Sequence, residues 1–453
     1  MKKSALFCAA CLLALPAAPA GEGRPADTPE RTANARLAAV AGEPGPEMAA
    51  ESRAEPLTAD GAWCWFADPR AVRRGDITFV SYITSVGDIM ISAYDHKTGK
   101  LITVRLHERL KQMGTTKDDH GNPAILIRSD GRLMVFYSGH SMPPMYCRVS
   151  RNPLDVSAWE DETTVPIGRG GVTYPNPVQL SAEQDRIYLF FRGGSGGSGF
   201  VTSDDGGKTW AKPRGLVAAS RPYFKMVSDG RSRIHIVYND SHPHDFVNNV
   251  YYLRYENGAF GRADGTRIKG LDELPLKPSE GEAIYLAKDH KNARAWVWDI
   301  ALDAEGRPTL AYATIPDKAH HAYRCARWDG KAWQDREVLG DAGGHIDGPR
   351  EWCYSGGIIL NHSDPRIVYL SRQVGAGFQV ERWETGDGGA SWKSQVLAPA
   401  AGAENKNVRP FSPWGCRPGE MEVIWMRGTY NYWTDYRTAL VAWPMARPVE
   451  PAQ

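Results

Sequence analysis

The stretch "DDHGNPAILIRSDGRLMVFYSGH", residues 118–140, contains two short apolar runs, "AILI" and "LMVFY", separated by the turn sequence "RSDGR". Both runs are rich in β-branched and aromatic residues, and Ser, Asp and Gly in succession are typical of a tight turn. The stretch therefore predicts an antiparallel hairpin. One histidine precedes the first strand, His120, and another follows the second strand, His140.

The same arrangement recurs along the chain. Seven apolar runs follow turn residues, and each has a partner run ahead of it. The seven runs begin at Asp76, Gly131, Asp185, Ser232, Gly306, Pro365 and Met421. The partner runs, which we interpret as inner strands, begin at Trp63, Asn122, Thr173, Tyr223, Trp296, Cys353 and Phe411. Seven hairpins, each with room for two further strands, predict an all-β protein: a seven-bladed β-propeller of four-stranded antiparallel blades over residues 58–447. The longer interval at residues 261–295 predicts an insertion within blade four or after it.

Two further stretches support this fold class. "SDDGGKTW" at residues 203–210 and "TGDGGASW" at residues 385–392 share the form S/T-x-D-G-G-x-S/T-W. They resemble the Asp-box, or BNR, turn of sialidase-type propellers, in which Asp and Gly close a hairpin between outer strands. The motif indicates a fold and says little about function, because it lies far from the axis.

The amino terminus has the pattern of an export signal. "MKKSALFCAACLLALPAAPA" combines two lysines, an apolar run and a small-residue "APA", so residues 1–20 are interpreted as a signal peptide. Residues 21–57 are rich in Ala, Pro, Glu and Gly and are interpreted as a flexible leader. We therefore expect a secreted or periplasmic protein. A net charge of +1, from 54 basic and 53 acidic residues, gives no reason to expect binding to nucleic acid or to a membrane.

Five cysteines follow the predicted signal peptide. They are Cys64, Cys147, Cys325, Cys353 and Cys416. An odd number leaves at least one free thiol or metal ligand, and no CxxC spacing indicates a zinc site. Small buried side chains are the simplest interpretation, and the sequence leaves their disulfide state open.

Propeller geometry predicts which polar residues converge. Because the first two strands of a blade are antiparallel, the start of the first and the end of the second emerge on the same face, at the mouth of the axial channel. The residues in these positions are His120 and His140 in blade two, Tyr174 and Arg192 in blade three, Arg221, Tyr223, His242, His244, Asn248 and Asn249 in blade four, and Arg350 before blade six. Histidine, tyrosine and arginine therefore predominate over carboxylates at this mouth.

This composition favours one reaction class. Most glycoside hydrolases need two carboxyl groups, whereas β-elimination at a 4-linked uronate needs a base for the C5 proton, an acid for the leaving oxygen and a cation for the carboxylate. Histidine and tyrosine suit the first two roles, and a guanidinium suits the third. A nearby arginine also favours the tyrosinate form of a tyrosine.

The runs around "DDHGNPAILIR", "TYPNPVQL", "RIYLFFRGG" and "RPYFKMVSDGRSRIHIVYND" resemble the BNR-type propeller polysaccharide lyases, which include ulvan lyases and L-rhamnose-α-1,4-D-glucuronate lyases. The resemblance implies cleavage of rhamnose-α-1,4-glucuronate linkages, sulfated in ulvan and unsulfated in arabinogalactan side chains. It also implies catalytic roles for His120, His140, Tyr174 and Arg192, and substrate contacts for Arg221, Tyr223, His242, Asn248 and Arg350. No cofactor is required for this chemistry, although family members bind structural zinc or calcium, and the sequence shows no clear ligand set for either.

Two other classes remain open: a sialidase-type glycoside hydrolase, and a non-catalytic carbohydrate-binding propeller. The sequence does not distinguish ulvan from arabinogalactan, or endo from exo cleavage. We favour a histidine as base and Tyr174 as acid, and we expect a monomer that binds a uronate-containing polysaccharide or oligosaccharide.

Overall fold

Seven antiparallel sheets form the domain in the computed structural model, which describes residues 53–194, 197–347 and 349–445. Six of the sheets have four strands, and the fourth blade has six. Strands such as "LMVFYS" are buried along their whole length because each blade is covered on both faces by its neighbours. The predicted seven-bladed propeller of antiparallel blades is confirmed.

Blades one to three follow chain order from the axis outward. The strands of blade one are β2 (Ala71–Arg74), β3 (Ile77–Ile83), β4 (Ile89–Asp95) and β5 (Leu101–His107). The strands of blade two are β6 (Ala124–Ile127), β7 (Leu133–Ser138), β8 (Met145–Val149) and β9 (Thr163–Val165). The strands of blade three are β10 (Val172–Leu180), β11 (Arg186–Gly193), β12 (Ser198–Ser203) and β13 (Arg214–Gly215).

Blade four contains the predicted insertion. Its strands are β14 (Tyr223–Ser228), β15 (Arg233–Asn239), β16 (Val250–Glu256), β17 (Ala259–Gly261), β18 (Arg267–Gly270) and β19 (Glu282–Tyr285). The last of these returns to pair with β16, so the extra residues extend the outer edge of this blade.

Blades five and six return to four strands. The strands of blade five are β20 (Arg294–Leu302), β21 (Pro308–Ile315), β22 (His321–Trp328) and β23 (Trp333–Gly343). The strands of blade six are β24 (Ile358–Leu360), β25 (Ile367–Val374), β26 (Gly377–Glu384) and β27 (Lys393–Ala398). The described helices are all short 3-10 turns, at Asp119–Gly121, Ser181–Glu183, Leu271–Glu273, Pro278–Glu280, Ala287–His290 and Pro349–Glu351.

Blade seven closes the ring by combining both ends of the domain. Its inner strands are β28 (Lys406–Phe411), β29 (Val423–Tyr432) and β30 (Asp435–Met445), and its outermost strand is β1 (Arg53–Thr58). Residues 53–57 were assigned to the flexible leader, and this boundary is corrected: they pair with β30. The rest of the leader and the predicted signal peptide lie outside the described residues.

Two of the predicted inner strands are displaced. The run from Trp63 to Pro69 is not a strand of blade one, whose inner strand begins at Ala71. The inner strand of blade seven begins at Lys406, before the predicted start at Phe411. Both errors arose because aromatic residues were interpreted as strand residues. In blade one these residues lie in the axial channel, and in blade seven they lie at and after the end of the inner strand.

The segment from residue 61 to residue 70 occupies the axial channel. Trp65 stacks on Trp298 of blade five, with ring centroids 4.3 Å apart, and its indole N–H donates to the Val297 carbonyl. Phe66 packs against Tyr223, with centroids 4.6 Å apart. The segment contacts several blades at once, so it is a plug that fills the channel and fixes the blades around it.

The two Asp-box turns have the same hydrogen-bond pattern. In the turn between β12 and β13, Asp205 accepts from the backbone N–H and the hydroxyl of Thr209, at 2.9 and 2.6 Å. In the turn between β26 and β27, Asp387 accepts from the same groups of Ser391 at the same distances. Both turns join outer strands, as predicted.

The five cysteines of the domain are buried free thiols. In the ranges that the structure describes, no helix is long and apolar enough to cross a membrane.

Candidate active site

A single carboxylate joins the two histidines of blade two. His120 and His140 each donate Nδ1–H to Asp118, one to each carboxylate oxygen, at 2.8 and 2.9 Å. Their rings lie parallel, with centroids 4.0 Å apart and an interplanar angle of 1°. Because both Nδ1 atoms face the carboxylate, both Nε2 atoms lie on the side away from it. The predicted pair is brought together, and Asp118 is the residue that orients it.

The two histidines differ in charge. Burial would lower the pKa of His120, but the attraction of the Asp118 carboxylate outweighs it and raises the pKa to about 10. Burial and repulsion by the His120 imidazolium lower the pKa of His140 to about 4. Burial would raise the pKa of Asp118, yet the charge of His120 and the hydrogen bonds from both histidines hold it well below its usual range. Near neutral pH the site therefore contains one imidazolium, one neutral imidazole and one carboxylate.

A second buried network supports this pair from the channel side. Asp119 forms an ion pair with Arg409, and Tyr430 donates its hydroxyl to the same carboxylate at 2.6 Å. Arg409 also donates to the Trp63 carbonyl of the plug at 2.8 Å. All four residues are fully buried or nearly so. The network fixes the 3-10 turn at Asp119–Gly121 that carries the first histidine.

Tyr174 lies beside His120 in a strained backbone position. Its φ is +63°, in the left-handed region, where β10 breaks register with β11. Its ring centroid is 5.7 Å from that of His120, and the Cys64 thiol lies 3.5 Å from its hydroxyl. Burial raises the pKa of Tyr174 well above its usual value although Arg192 opposes this. Tyr174 is therefore a neutral phenol in the unbound site, although the neighbouring arginine by itself favours the tyrosinate form.

Arg192 lies beneath two tyrosines. Its guanidinium carbon is 4.6 Å from the ring centre of Tyr174 and 5.0 Å from that of Tyr223. It donates to the Tyr223 hydroxyl at 2.6 Å and to the Thr173 hydroxyl at 3.3 Å. No carboxylate is among these hydrogen-bonding partners, so the cation can interact with an anionic ligand.

The predicted blade-four contacts divide into two groups. Tyr223 and His242 lie at the mouth, with ring centroids 5.3 Å apart, and burial lowers the pKa of His242 to about 2, so it is neutral. Arg221 is exposed and pairs with Asp245 at 2.5 Å. Asn248 differs: its amide donates to two backbone carbonyls, of Ser241 and Ala295, and its oxygen accepts the Ala295 N–H. Asn248 therefore holds the loop, and its predicted substrate contact is wrong.

Blade seven contributes an aromatic residue that the sequence analysis missed. Trp433 meets His120 and His140 edge to face, with centroids 5.3 and 5.2 Å away. It follows β29, the second strand of its blade, so the rule that found His140 would also have found Trp433. Arg350 lies close by, exposed, with its guanidinium 5.4 Å from the ring centre of Tyr432.

The described side chains do not fit a structural ion. Two groups bring three donor atoms within 4.8 Å of one another: Cys64 with Asp119 and His120, and Asp118 with His120 and His140. Both depend on His120, whose Nδ1 is already hydrogen-bonded. Neither offers the four ligands of structural zinc or the six to eight oxygens of calcium.

The opposite end of the propeller contains a cavity of about 280 Å³. It is lined by apolar residues of the inner strands and by Trp414. On its wall, Ser129 donates its backbone N–H to Gln179 and its hydroxyl to Asp185, both at 2.8 Å. The cavity is remote from the histidines, so the mouth remains the candidate site.

The fold and the mouth together define a repeat propeller of the Asp-box class with a histidine, tyrosine and arginine site. Residues 77–340 match the family described as "BNR repeat-containing family member". The chain belongs to this family.

Similar proteins support the resemblance to lyases. An "Ulvan Lyase-PL25" of Pseudoalteromonas sp. (strain PLSV) is 26% identical over 320 residues, which is 58% of this chain and 62% of that protein. An "Ulvan lyase" of Nonlabens ulvanivorans is 25% identical over 383 residues, covering 73% of this chain and 76% of that protein. The solved structure of a PL25 ulvan lyase covers 87% of this chain and 96% of its own, with 18% identity and a TM-score of 0.67, and it confirms the fold.

Proposed function

We propose that this protein is a polysaccharide lyase that cleaves rhamnose-α-1,4-glucuronate linkages by β-elimination. The observation that carries the proposal is the carboxylate-bridged histidine pair, in which one histidine is neutral and the other charged. Beside it lie a neutral tyrosine and an arginine that has no carboxylate partner among the described residues. The two relatives named as ulvan lyases support the same reaction class.

The geometry supports a division of roles. His140 holds its Nδ1 proton on Asp118, so its Nε2 lone pair can accept the C5 proton of a glucuronate. The electron pair of the C5–H bond forms the C4–C5 double bond as the C4–O4 bond breaks, and the departing oxygen takes a proton from Tyr174. Arg192 and the His120 imidazolium compensate the negative charge that develops on the substrate carboxylate.

The proposed substrate is an extracellular glycan, either ulvan or the rhamnosyl-glucuronate ends of arabinogalactan-type glycans. A structure titled as a PL25 ulvan lyase bound to -[GlcA(1-4)Rha3S]- supports a uronate-containing ligand for this fold. The amino-terminal signal pattern supports export of the protein, which we propose acts as a monomer.

The test is ultraviolet absorbance during incubation with ulvan and with gum arabic in parallel. A lyase gives an unsaturated uronate that absorbs, whereas a sialidase-type hydrolase gives a saturated reducing end and a binding propeller gives no product. The Arg192→Ala variant should bind less and turn over at least about a hundredfold more slowly. No unsaturated product from either polymer would refute the lyase proposal for these substrates.

A further inference from the structure

The plug contributes one polar side chain to the active site that the proposed reaction does not use. Cys64 is 1% exposed, and its thiol donates to the hydroxyl of Tyr174 at 3.5 Å. Its sulfur also lies within 4.8 Å of a ring nitrogen of His120. A buried thiol that contacts the proposed proton donor beside the histidine pair is placed where it can affect proton transfer.

Cys64 is held by the same turn that carries His120. Its backbone N–H donates to the Asp119 carbonyl at 3.1 Å and to the side-chain oxygen of Asn122 at 3.0 Å. Asn122, the residue that follows this turn, is fully buried. The thiol and the first histidine are therefore fixed to one another, and the thiol cannot move away without breaking these bonds.

Two further contacts tie Tyr174 to the plug. The ring centroid of Tyr174 is 5.4 Å from that of Phe66, and Asn176, two residues further along β10, donates its amide to the Phe66 carbonyl at 2.9 Å. These contacts hold the strand where the backbone of Tyr174 adopts its φ of +63°. The plug therefore supports the strained conformation that places the Tyr174 ring beside His120.

The hydroxyl of Tyr174 has a hydrogen-bond donor beside it but no acceptor. Tyr174 is 3% exposed, and within the ranges that the structure describes the Cys64 thiol is the only hydrogen-bonding partner of this hydroxyl. Because the thiol occupies an acceptor position on the oxygen, the phenolic proton is left without a partner. A buried O–H group without an acceptor is costly, and a ligand oxygen would satisfy it. This arrangement suits a group that donates its proton to the O4 atom of the substrate.

The same thiol acts on the charge that proton transfer creates. When the O–H bond of Tyr174 breaks, the proton goes to O4 and the electron pair stays on the phenol oxygen. In its thiol form Cys64 keeps its own proton and donates to this phenolate, and hydrogen bonds to ionised groups are about twice as strong as those between neutral groups. The Arg192 guanidinium, 4.6 Å from the ring centre, supplies a positive charge. Exchange with water then removes the C5 proton from His140 and returns a proton to Tyr174, which restores the starting state.

Resting on the proposed lyase function, we propose that Cys64 is a positioning residue that directs the Tyr174 proton to the departing oxygen and stabilises the phenolate that remains. The plug is then part of the active site and does more than fill the channel. Because the contact strengthens only as the phenolate forms, its removal should slow the chemical step and leave substrate binding unchanged.

The experiment is a double-mutant cycle between Cys64→Ala and Tyr174→Phe, measured as initial rates of ultraviolet absorbance on whichever polymer the wild-type protein cleaves faster. We expect Cys64→Ala to lower kcat by about tenfold and to leave KM within about twofold, because a thiol is a weak donor but its acceptor becomes ionised. In the Tyr174→Phe background the same change should cost less than about twofold, since the hydroxyl through which Cys64 acts is gone. The matched control is Cys147→Ala, which removes a thiol that is 2% exposed in the third strand of blade two and should leave kcat unchanged.

Each outcome decides one question. A wild-type kcat in folded Cys64→Ala, a rise in KM alone, or an equal loss of kcat in both backgrounds would overturn the positioning role while leaving the lyase reaction intact. No unsaturated product from the wild-type protein with either polymer would instead refute the reaction itself. If thermal unfolding shows that Cys64→Ala does not fold, Cys64→Val, which removes the donor without opening a cavity, takes its place in the cycle.

Discussion

Replacing Asp118 by Asn should remove the charge difference between the two histidines. The side chain keeps its size, but it can no longer supply a negative charge or accept from both Nδ1 atoms. His242 and His235, buried histidines without an ion-paired carboxylate, have pKa values lowered to about 2 and about 3. The pKa of His120 in the variant should therefore fall from about 10 to below its ordinary value of 6.5.

The size of the effect follows from that shift. A fall in the pKa of His120 from about 10 to 6.5 corresponds to about 5 kcal/mol of lost preference for the imidazolium. Asp119 Oδ1 also lies 3.1 Å from His120 Nδ1 and keeps part of this preference, although Arg409 compensates its charge, so the loss in kcat should be smaller than this figure implies. We expect kcat to fall by about a thousandfold, within the range for general acid and base groups.

The assay is the initial rate of ultraviolet absorbance on the better polymer between pH 4 and 11. The matched control is Asp205→Asn in the first Asp-box turn, which removes a carboxylate bonded to Thr209 far from the mouth and should lower thermal stability without changing kcat. An Asp118→Asn protein that is folded, retains a tenth or more of the wild-type kcat and keeps the same pH profile would refute the assigned role of this carboxylate.

Four other outcomes are expected. Tyr174→Phe should retain the fold and lose about a hundredfold or more in kcat, measured in the same assay, because the proton donor is gone. In the wild-type protein, kcat/KM should rise with pH around pH 4, where His140 loses its proton, and fall around pH 10, where His120 loses its proton. A pH profile with one transition near pH 7 would contradict both assignments. Because the folded pKa of His120 lies above 6.5, the folded state binds more protons between pH 6.5 and 10, so the free energy of unfolding from urea titrations should decrease across that window. Deleting residues 53–58 should lower the free energy of unfolding by about 3 kcal/mol or more, since β30 loses its partner; an unchanged melting temperature would show that β1 is dispensable.

The fold could be predicted because its signal is repeated. Seven hairpins and two Asp-box turns each carry the information locally, in turn residues and alternating apolar runs. The ends of the domain were harder to place. Residues 53–57 have the composition of a leader and form a strand only because β30 presents an unpaired edge to them.

The site residues could be predicted where their position at the end of a strand is enough to place them at the mouth. His120, His140, Tyr174 and Arg192 meet because each lies at the mouth end of an inner hairpin. Asp118 was visible in the sequence, but its role depends on side-chain directions that strand geometry does not give. Asn248 satisfied the same positional rule and is nevertheless structural, because all of its polar atoms bond to the backbone.

The closure of blade seven has a consequence for the order of assembly. Arg53 pairs with Met445, so a chain segment of about 390 residues must be looped before the two ends can meet. The entropic cost of closing such a loop is about 5 kcal/mol. The plug follows β1 after only a few residues, so blades that condense around the plug also bring β1 to the ring and shorten the search. In a circular permutant that begins at β2 and carries residues 53–70 after β30, the pairing of β1 with β30 no longer needs the plug to be in place. We expect this permutant to form the ring of blades first and to insert the plug into the channel last.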